Sequence, residues 1–358
     1  MKTVIQVVQH LRPGGIETMA LDLATFCQGE GNPLIISLEG DRESALAAWP
    51  KLIPHAERLI FLQKSSGLQP SLVMRLYRLF KSLDVVAVHT HHIGPLIYAG
   101  LAARMAGIKQ LVHTEHDAWH LNDNRRKNLQ RTIIKITHPI LVADAQTVAD
   151  EMGKKLNTKQ ISIVNNGIDT EHFIPGDQRL ARQHLGLPQG VPIIGCSGRL
   201  ETVKGQEQLI MALACISYDV HLALAGIGST EIALRSLVSE LGLSNRVHFL
   251  GRIDNMPQFY QALSLFCLPS LNEGFPLSPL EAQACNIPTA VTNVGGSHET
   301  LCPDSGELLP NNDFLNMART LDHMLLHASK KHPREFITHK FDVRLMAQRY
   351  LHHYQPGE

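Results

Sequence analysis

The sequence predicts an α/β protein built as two doubly wound parallel domains in series. Short apolar runs rich in β-branched residues alternate with helical patterns along the whole chain, the mark of βαβ units. The alternation breaks once, in the polar, Gly- and Pro-punctuated stretch 165–190, and then starts again. A chain of 358 residues, 44% hydrophobic and 18% charged, is long enough for two cores and too apolar to be disordered.

In the first half the strand-like runs are 4–8, 34–38, 58–62, 85–89, 110–114, 140–143 and 161–164. Helical patterns lie between most of them, for instance 16–27, 72–83 and 96–106. After the break come strand runs at 192–196, 221–225, 247–250, 263–268 and 289–291. The expected division is 1–178 and 179–335, followed by an amphipathic helix within 336–358.

Lys+Arg and Asp+Glu are both 33, so no bulk charge points to nucleic acid. Locally, residues 64–135 carry eleven Lys and Arg against four acids. Within that region Leu72, Leu76, Leu79 and Leu83 fall on one helical face and Arg75, Arg78 and Lys81 on another. Such a helix either packs in the core with a wet basic face or lies on anionic lipid. The six cysteines are scattered without a C-x-x-C pair, which fits a reducing compartment and neither zinc nor a disulfide framework. The first eight residues are too polar for a signal peptide, and no apolar stretch is long enough to span a bilayer. The expected location is the cytosol or the cytosolic side of a membrane surface.

The chemistry gathers at predicted strand ends, where open α/β sheets bind ligands. Glu273 and Glu281 flank the change from strand 263–268 to a helix. Ser278 reads as its N-cap, Pro279 as the first helical residue and Glu281 as the third. The segment is either a plain capping box or an anion-binding helix start with two carboxylates for hydroxyls, as a nucleotide-sugar requires. Gly198-Arg199 and Lys204-Gly205 put two cations on one strand-end loop, which suits a diphosphate or simply a solvated surface. Pro13-Gly14-Gly15 follows the first strand and is either a ligand approach or a tight turn. Neither it nor Gly226-Ile227-Gly228 completes a dinucleotide fingerprint. The 20 histidines include runs at 89–92 and 113–117, without H-E-x-x-H or a D-x-D pair, so no metal site is expected. Most of them read as ordinary loop residues, and His352 and His353 as solvated. His116 is the exception, a polar group at a strand end.

Taken together, these segments resemble the retaining glycosyltransferases of family 4, whose fold is two Rossmann-like doubly wound domains facing across a cleft (GT-B). The resemblance rests on Gly14-Gly15-x-Glu17, Asn166-Gly167-Ile168-Asp169, Gly198-Arg199 with Lys204-Gly205, and Gly226-x-Gly228. It rests also on Glu273-Gly274-Phe275-Pro276 with Glu281-Ala282, and on Val294-Gly295-Gly296-x-x-Glu299. It implies that Glu281 binds the donor ribose, Glu273 faces the transferred sugar, and Arg199 and Lys204 hold the diphosphate with the amides of Leu277 and Ser278. It implies that Gly14 and Gly15 approach from the first domain, that His116 lies near donor sugar and acceptor, and that the last helix crosses back. Gly198, Gly226, Gly228, Arg252, Gly274, Phe275 and Pro276 complete the implied donor pocket. The implied activity uses no cofactor or metal and transfers a sugar from a nucleotide-sugar to a glycan or lipid-linked acceptor. An epimerase of the same architecture and a non-catalytic sugar-nucleotide binder are the alternatives. One departure is Asn286, where relatives usually have Gly after the helix; Asn tolerates the left-handed cap.

Overall fold

A computed structural model describes residues 2–27, 33–327 and 332–355. The chain divides into two compact units, Met1–Gly167 with Val343–Glu358, and Ile168–Asp342. The boundary therefore falls earlier than 178/179, because Ile168 already pairs with Asp342 and its amide donates to Phe341 O. Helix Pro333–Lys340 stays with the second unit, and only helix Val343–Tyr354 belongs to the first.

In the first unit β1 (Thr3–Val8), β2 (Leu34–Ser37), β3 (Leu59–Phe61), β4 (Val85–His91), β5 (Gln110–Glu115), β6 (Ile140–Ala143) and β7 (Ser162–Ile163) form one parallel sheet. Its order is 3-2-1-4-5-6-7. In the second unit β8 (Ile193–Ser197), β9 (His221–Ala225), β10 (Val247–Gly251), β11 (Leu265–Leu268), β12 (Thr289–Thr292) and β13 (Gly306–Leu309) form another, in the order 10-9-8-11-12-13. Both sheets are doubly wound. The strand order reverses between β1 and β4 in one and between β8 and β11 in the other, and the loops leaving such switch points form a ready crevice.

The strand sequences account for this. β8, β9, β11 and β12 are buried on both faces and read as continuous apolar runs rather than alternating ones. β13 was absent from the sequence reading. It is a short edge strand whose Glu307 and Leu308 are exposed, so it lacks the apolar run that marks the others.

Helix Ser71–Ser82 buries Leu72, Leu76 and Phe80 in the first core, and Arg75 Nη1 donates to Leu62 O at 3.0 Å. Its apolar face is thus used by the fold, while Arg75, Arg78 and Lys81 are exposed. Helix Val343–Tyr354 lays Val343, Met346, Ala347, Tyr350 and Tyr354 over Ala87, Val112 and Val142 of the first sheet. Asn286 takes the left-handed conformation, φ 66°, after helix Ser278–Ala284. Cys27, Cys196, Cys267, Cys285 and Cys302 are buried free thiols, and Cys215 is an exposed one. Among the described residues no helix is long and apolar enough to cross a membrane.

Candidate active site

In the second unit the two loops that leave the switch point are tied to one another. Leu271 N, after β11, donates to Val203 O, after β8, at 2.8 Å. Gly205 sits at φ 65°, and a Cβ there would lie 2.0 Å from Pro269 O. This close approach brings the Lys204 side chain to Glu273: Nζ donates to Oε1 at 2.6 Å. Ser270 Oγ donates to the same oxygen at 2.6 Å. Glu273 is buried and Lys204 partly so, which shields the pair and makes its hydrogen bond stronger than a surface contact. Arg199 leaves the same β8 loop with an exposed side chain, and its carbonyl accepts from Gln206 Nε2 at 2.9 Å.

The neighbouring strand ends are laced through main-chain bonds. Gly198 N donates to Ala225 O at 3.0 Å, Leu200 N to Ile227 O at 3.0 Å, and Gly226 N to Gly251 O at 2.7 Å. At Gly226, φ 150°, a Cβ would lie 1.9 Å from Gly198 O, and at Gly228 one would lie 2.1 Å from Leu200 O. Both glycines therefore have a packing reason independent of any ligand. Gly274 is held by Gly296 N, which donates to its carbonyl at 2.8 Å. Phe275 is buried against Phe341, ring centroids 5.5 Å apart, and Pro276 is buried too. Arg252 follows edge strand β10, exposed, 3.2 Å from Asp254.

The helix start differs from the expectation. Leu277, not Ser278, occupies the cap position of helix Ser278–Ala284, and no side chain caps it. Glu281 has a partner on another helix. Its Oε2 accepts from Tyr260 OH at 2.5 Å, and that hydroxyl also lies 3.1 Å from Ser197 Oγ. Burial, with the charge of Glu281 adding to it, pushes the Tyr260 phenol well above its ordinary range, so it remains a donor. Sequence reasoning missed Tyr260 because a tyrosine in an apolar helix reads as core, which by burial it also is.

In the first unit Gly14 and Gly15 are exposed at the start of helix Gly15–Phe26. Glu17 Oε1 lies 3.1 Å from His10 Nδ1. His116 directly follows β5 and is buried. The reading of most histidines as loop residues is overturned here. His89, His91 and His113 lie inside β4 and β5, fully buried and hydrogen-bonded. Their alternation with Thr90 and Thr114 mimicked a polar loop, whereas each ring has a partner far away in sequence. His92, next after β4, is held at φ 68°, ψ 166°, a region nearly closed to residues with a Cβ and found where a site stores strain. Burial pushes the Glu115 carboxyl up, but the hydrogen bond with His113 and the nearby His92 ring outweigh it and hold the group well below the usual range. Burial alone would lower His120, but its bond to Asp117 and the charge of Glu115 raise it to about 9. Among the described residues no three His, Cys, Asp or Glu side chains converge so as to hold a metal ion.

The model for "Glycosyltransferase Family 4" matches residues 13–172 and that for "Glycosyl transferases group 1" matches 177–340. A D-inositol 3-phosphate glycosyltransferase of Corynebacterium urealyticum is 31% identical over 57% of this chain and 52% of its own length. The chain spans about half the length of such inositol phosphate relatives. The UDP-Gal:alpha-D-GlcNAc-diphosphoundecaprenol alpha-1,3-galactosyltransferase of Escherichia coli is 28% identical over 76% of this chain and 75% of its own. The solved structure of Anabaena HepE in complex with UDP shares the fold, with a TM-score of 0.84, 22% identity and 98% of each chain covered. With both halves matched in order and the two doubly wound sheets in place, the chain belongs to the group 1, family 4 glycosyltransferases of GT-B fold.

Proposed function

We propose that this chain moves a sugar from a UDP- or GDP-sugar to a hydroxyl of a glycan or lipid-linked acceptor in surface polysaccharide biosynthesis, with retained anomeric configuration. The observation that carries the reading is the Lys204–Glu273 pair at the β8/β11 switch point, a cation and a carboxylate fixed at 2.6 Å. As the glycosidic C–O bond breaks, its electron pair leaves with the β-phosphate. Lys204, Arg199 and the amides of Leu277 and Ser278 stabilise that charge in place of a metal. The acceptor oxygen bonds to the anomeric carbon on the same face, and its proton passes to a phosphate oxygen. Glu273 faces the sugar, and Glu281, oriented by Tyr260, accepts from the ribose hydroxyls. In the first unit, Gly14, Gly15 and His116 are the residues proposed to contact substrate. The galactosyltransferase relative is named for UDP-Gal and a diphosphoundecaprenol-linked sugar, and HepE is solved with UDP-glucose, which supports the donor and acceptor classes.

The test is incubation of purified protein with a panel of UDP- and GDP-sugars and lipid-linked glycan acceptors, in EDTA, with product linkage read by NMR. Transfer with retention is expected. Release of an altered nucleotide-sugar without acceptor would instead mark an epimerase, and activity that disappears in EDTA and returns with manganese would overturn the metal-free mechanism.

The basic region 64–135 adds a membrane surface to the proposed partners, with the protein on the cytosolic side. Helix Asn124–Thr137 exposes Leu129 and Ile136 beside Arg125, Arg126 and Lys135, a pattern suited to anionic lipid. The protein is expected to sediment with anionic and not with neutral vesicles, and exchanging Arg125 and Arg126 for Glu should abolish this. Equal partitioning between the two lipids rules the electrostatic contact out.

A further inference from the structure

Both ring nitrogens of His116 are already occupied. Nδ1 lies 3.2 Å from Asp144 Oδ2, and Nε2 lies 3.1 Å from His91 Nδ1. The connection continues inward from His91 Nε2 to Gln6 Oε1 at 3.0 Å, and Gln6 Nε2 donates to Tyr354 OH at 2.9 Å. That hydroxyl is 2.8 Å from His89 Nδ1. Every member is buried.

Such a chain has a direction. The carbonyl oxygen of Gln6 only accepts, so His91 Nε2 carries hydrogen. A neutral His91 then offers Nδ1 as an acceptor, so His116 Nε2 must also carry hydrogen. A neutral His116 in turn offers Nδ1 as an acceptor, and the hydrogen in the last contact has to come from Asp144. The reverse direction, with the Gln6 amide turned over, would require Asp144 to be an anion. Its surroundings disfavour that. Asp144 is 1% exposed, Oδ1 has no hydrogen-bond partner, and Oδ2 accepts only an amide, Asn166 Nδ2 at 3.2 Å, besides facing His116. An anion so placed would have no Lys or Arg in contact and could be compensated only by protonating the equally buried His116. Burial accordingly pushes Asp144 well above the carboxylate range and His116 down to about 3. The other titratable groups facing His116 are His89, His91 and His92 of β4 and its end, Glu115 and Asp117 beside it, and Glu17 from the first helix.

We propose that Asp144 is a positioning residue for His116: a neutral carboxylic acid that donates to Nδ1 while His91 takes the hydrogen on Nε2, locking the ring in one tautomer. In the sugar-transfer reading, on which this role rests, His116 then meets the substrates as a fixed, uncharged ring face and backbone rather than as a proton carrier.

Two measurements test it. In protein labelled with 15N-histidine, with His116 assigned by the signal lost in His116→Gln, the ring is expected as the neutral Nε2–H tautomer from about pH 5 to about pH 8, across the ordinary histidine range. Asp144→Ala frees Nδ1 and is expected to lower kcat about 100-fold through misplacement of the ring, with donor KM little changed. Asp144→Asn can still donate to Nδ1 and should recover most of that loss. A charged ring or an Nδ1–H tautomer in the wild type overturns the proposal. So does an Asn variant as slow as the Ala variant, the result expected of an ionised Asp–His pair. If no protein transfers sugar to any acceptor, the functional reading fails while the NMR spectrum still decides where the proton lies.

Discussion

Replacing Lys204 with alanine should lower kcat by about 10²–10³, the loss typical of removing one preorganised donor from developing charge. The change also strips Glu273 of its cation and leaves Ser270 as the remaining donor to Oε1. A buried carboxylate deprived of one charged partner costs about 1–3 kcal/mol, so the folded fraction must be measured beside turnover. Lys204→Arg keeps the charge but not the single-point contact, and should fall between the two. Steady-state kinetics on protein with an unchanged near-UV circular dichroism spectrum decides the matter. Turnover within about 3-fold of wild type, well below the effect of a lost oxyanion donor, would remove Lys204 from the mechanism.

The second large effect is expected from Gly226→Ala. The backbone at φ 150° is nearly closed to residues with a side chain, and the new methyl would meet Gly198 O at 1.9 Å, far inside contact distance. Relief requires either loop to move, which would break the bonds Gly198 N to Ala225 O and Gly226 N to Gly251 O. A loss of about 3 kcal/mol or more is expected from strain and clash together, read as a lower urea midpoint. Saturating nucleotide-sugar should recover only part of it, because the defect lies in loop packing. Full recovery by ligand would indicate that Gly226 matters only for binding.

Strands buried on both faces were legible because they form unbroken apolar runs, and the restart after the polar stretch announced a second sheet. Lys204 and Glu273 were singled out separately, one for the diphosphate and one for the sugar; their 2.6 Å contact depends on two loops brought together at a strand reversal. What stayed hidden was long-range. Gln6 and Tyr354 are 348 residues apart yet hydrogen-bonded, and no local pattern marks such a pair. Tyr260 and the histidines of β4 and β5 were concealed for the opposite reason. A residue that is both packed and polar gives the periodicity of one role only. Ser278 and Glu281 matched a capping pattern, but Leu277 holds the cap position and Glu281 accepts from Tyr260.

The final helix, Val343–Tyr354, supplies side chains to the core of the unit that begins at the other end of the polypeptide. On the ribosome this inverts the usual order of maturation. The second unit, Ile168–Asp342, is contiguous and can close before Val343–Tyr354 is made, whereas the first must wait for that helix before its sheet is covered. Until then the nascent chain carries the uncovered apolar surface of Ala87, Val112 and Val142, and a chaperone binding there would act on the half made earliest.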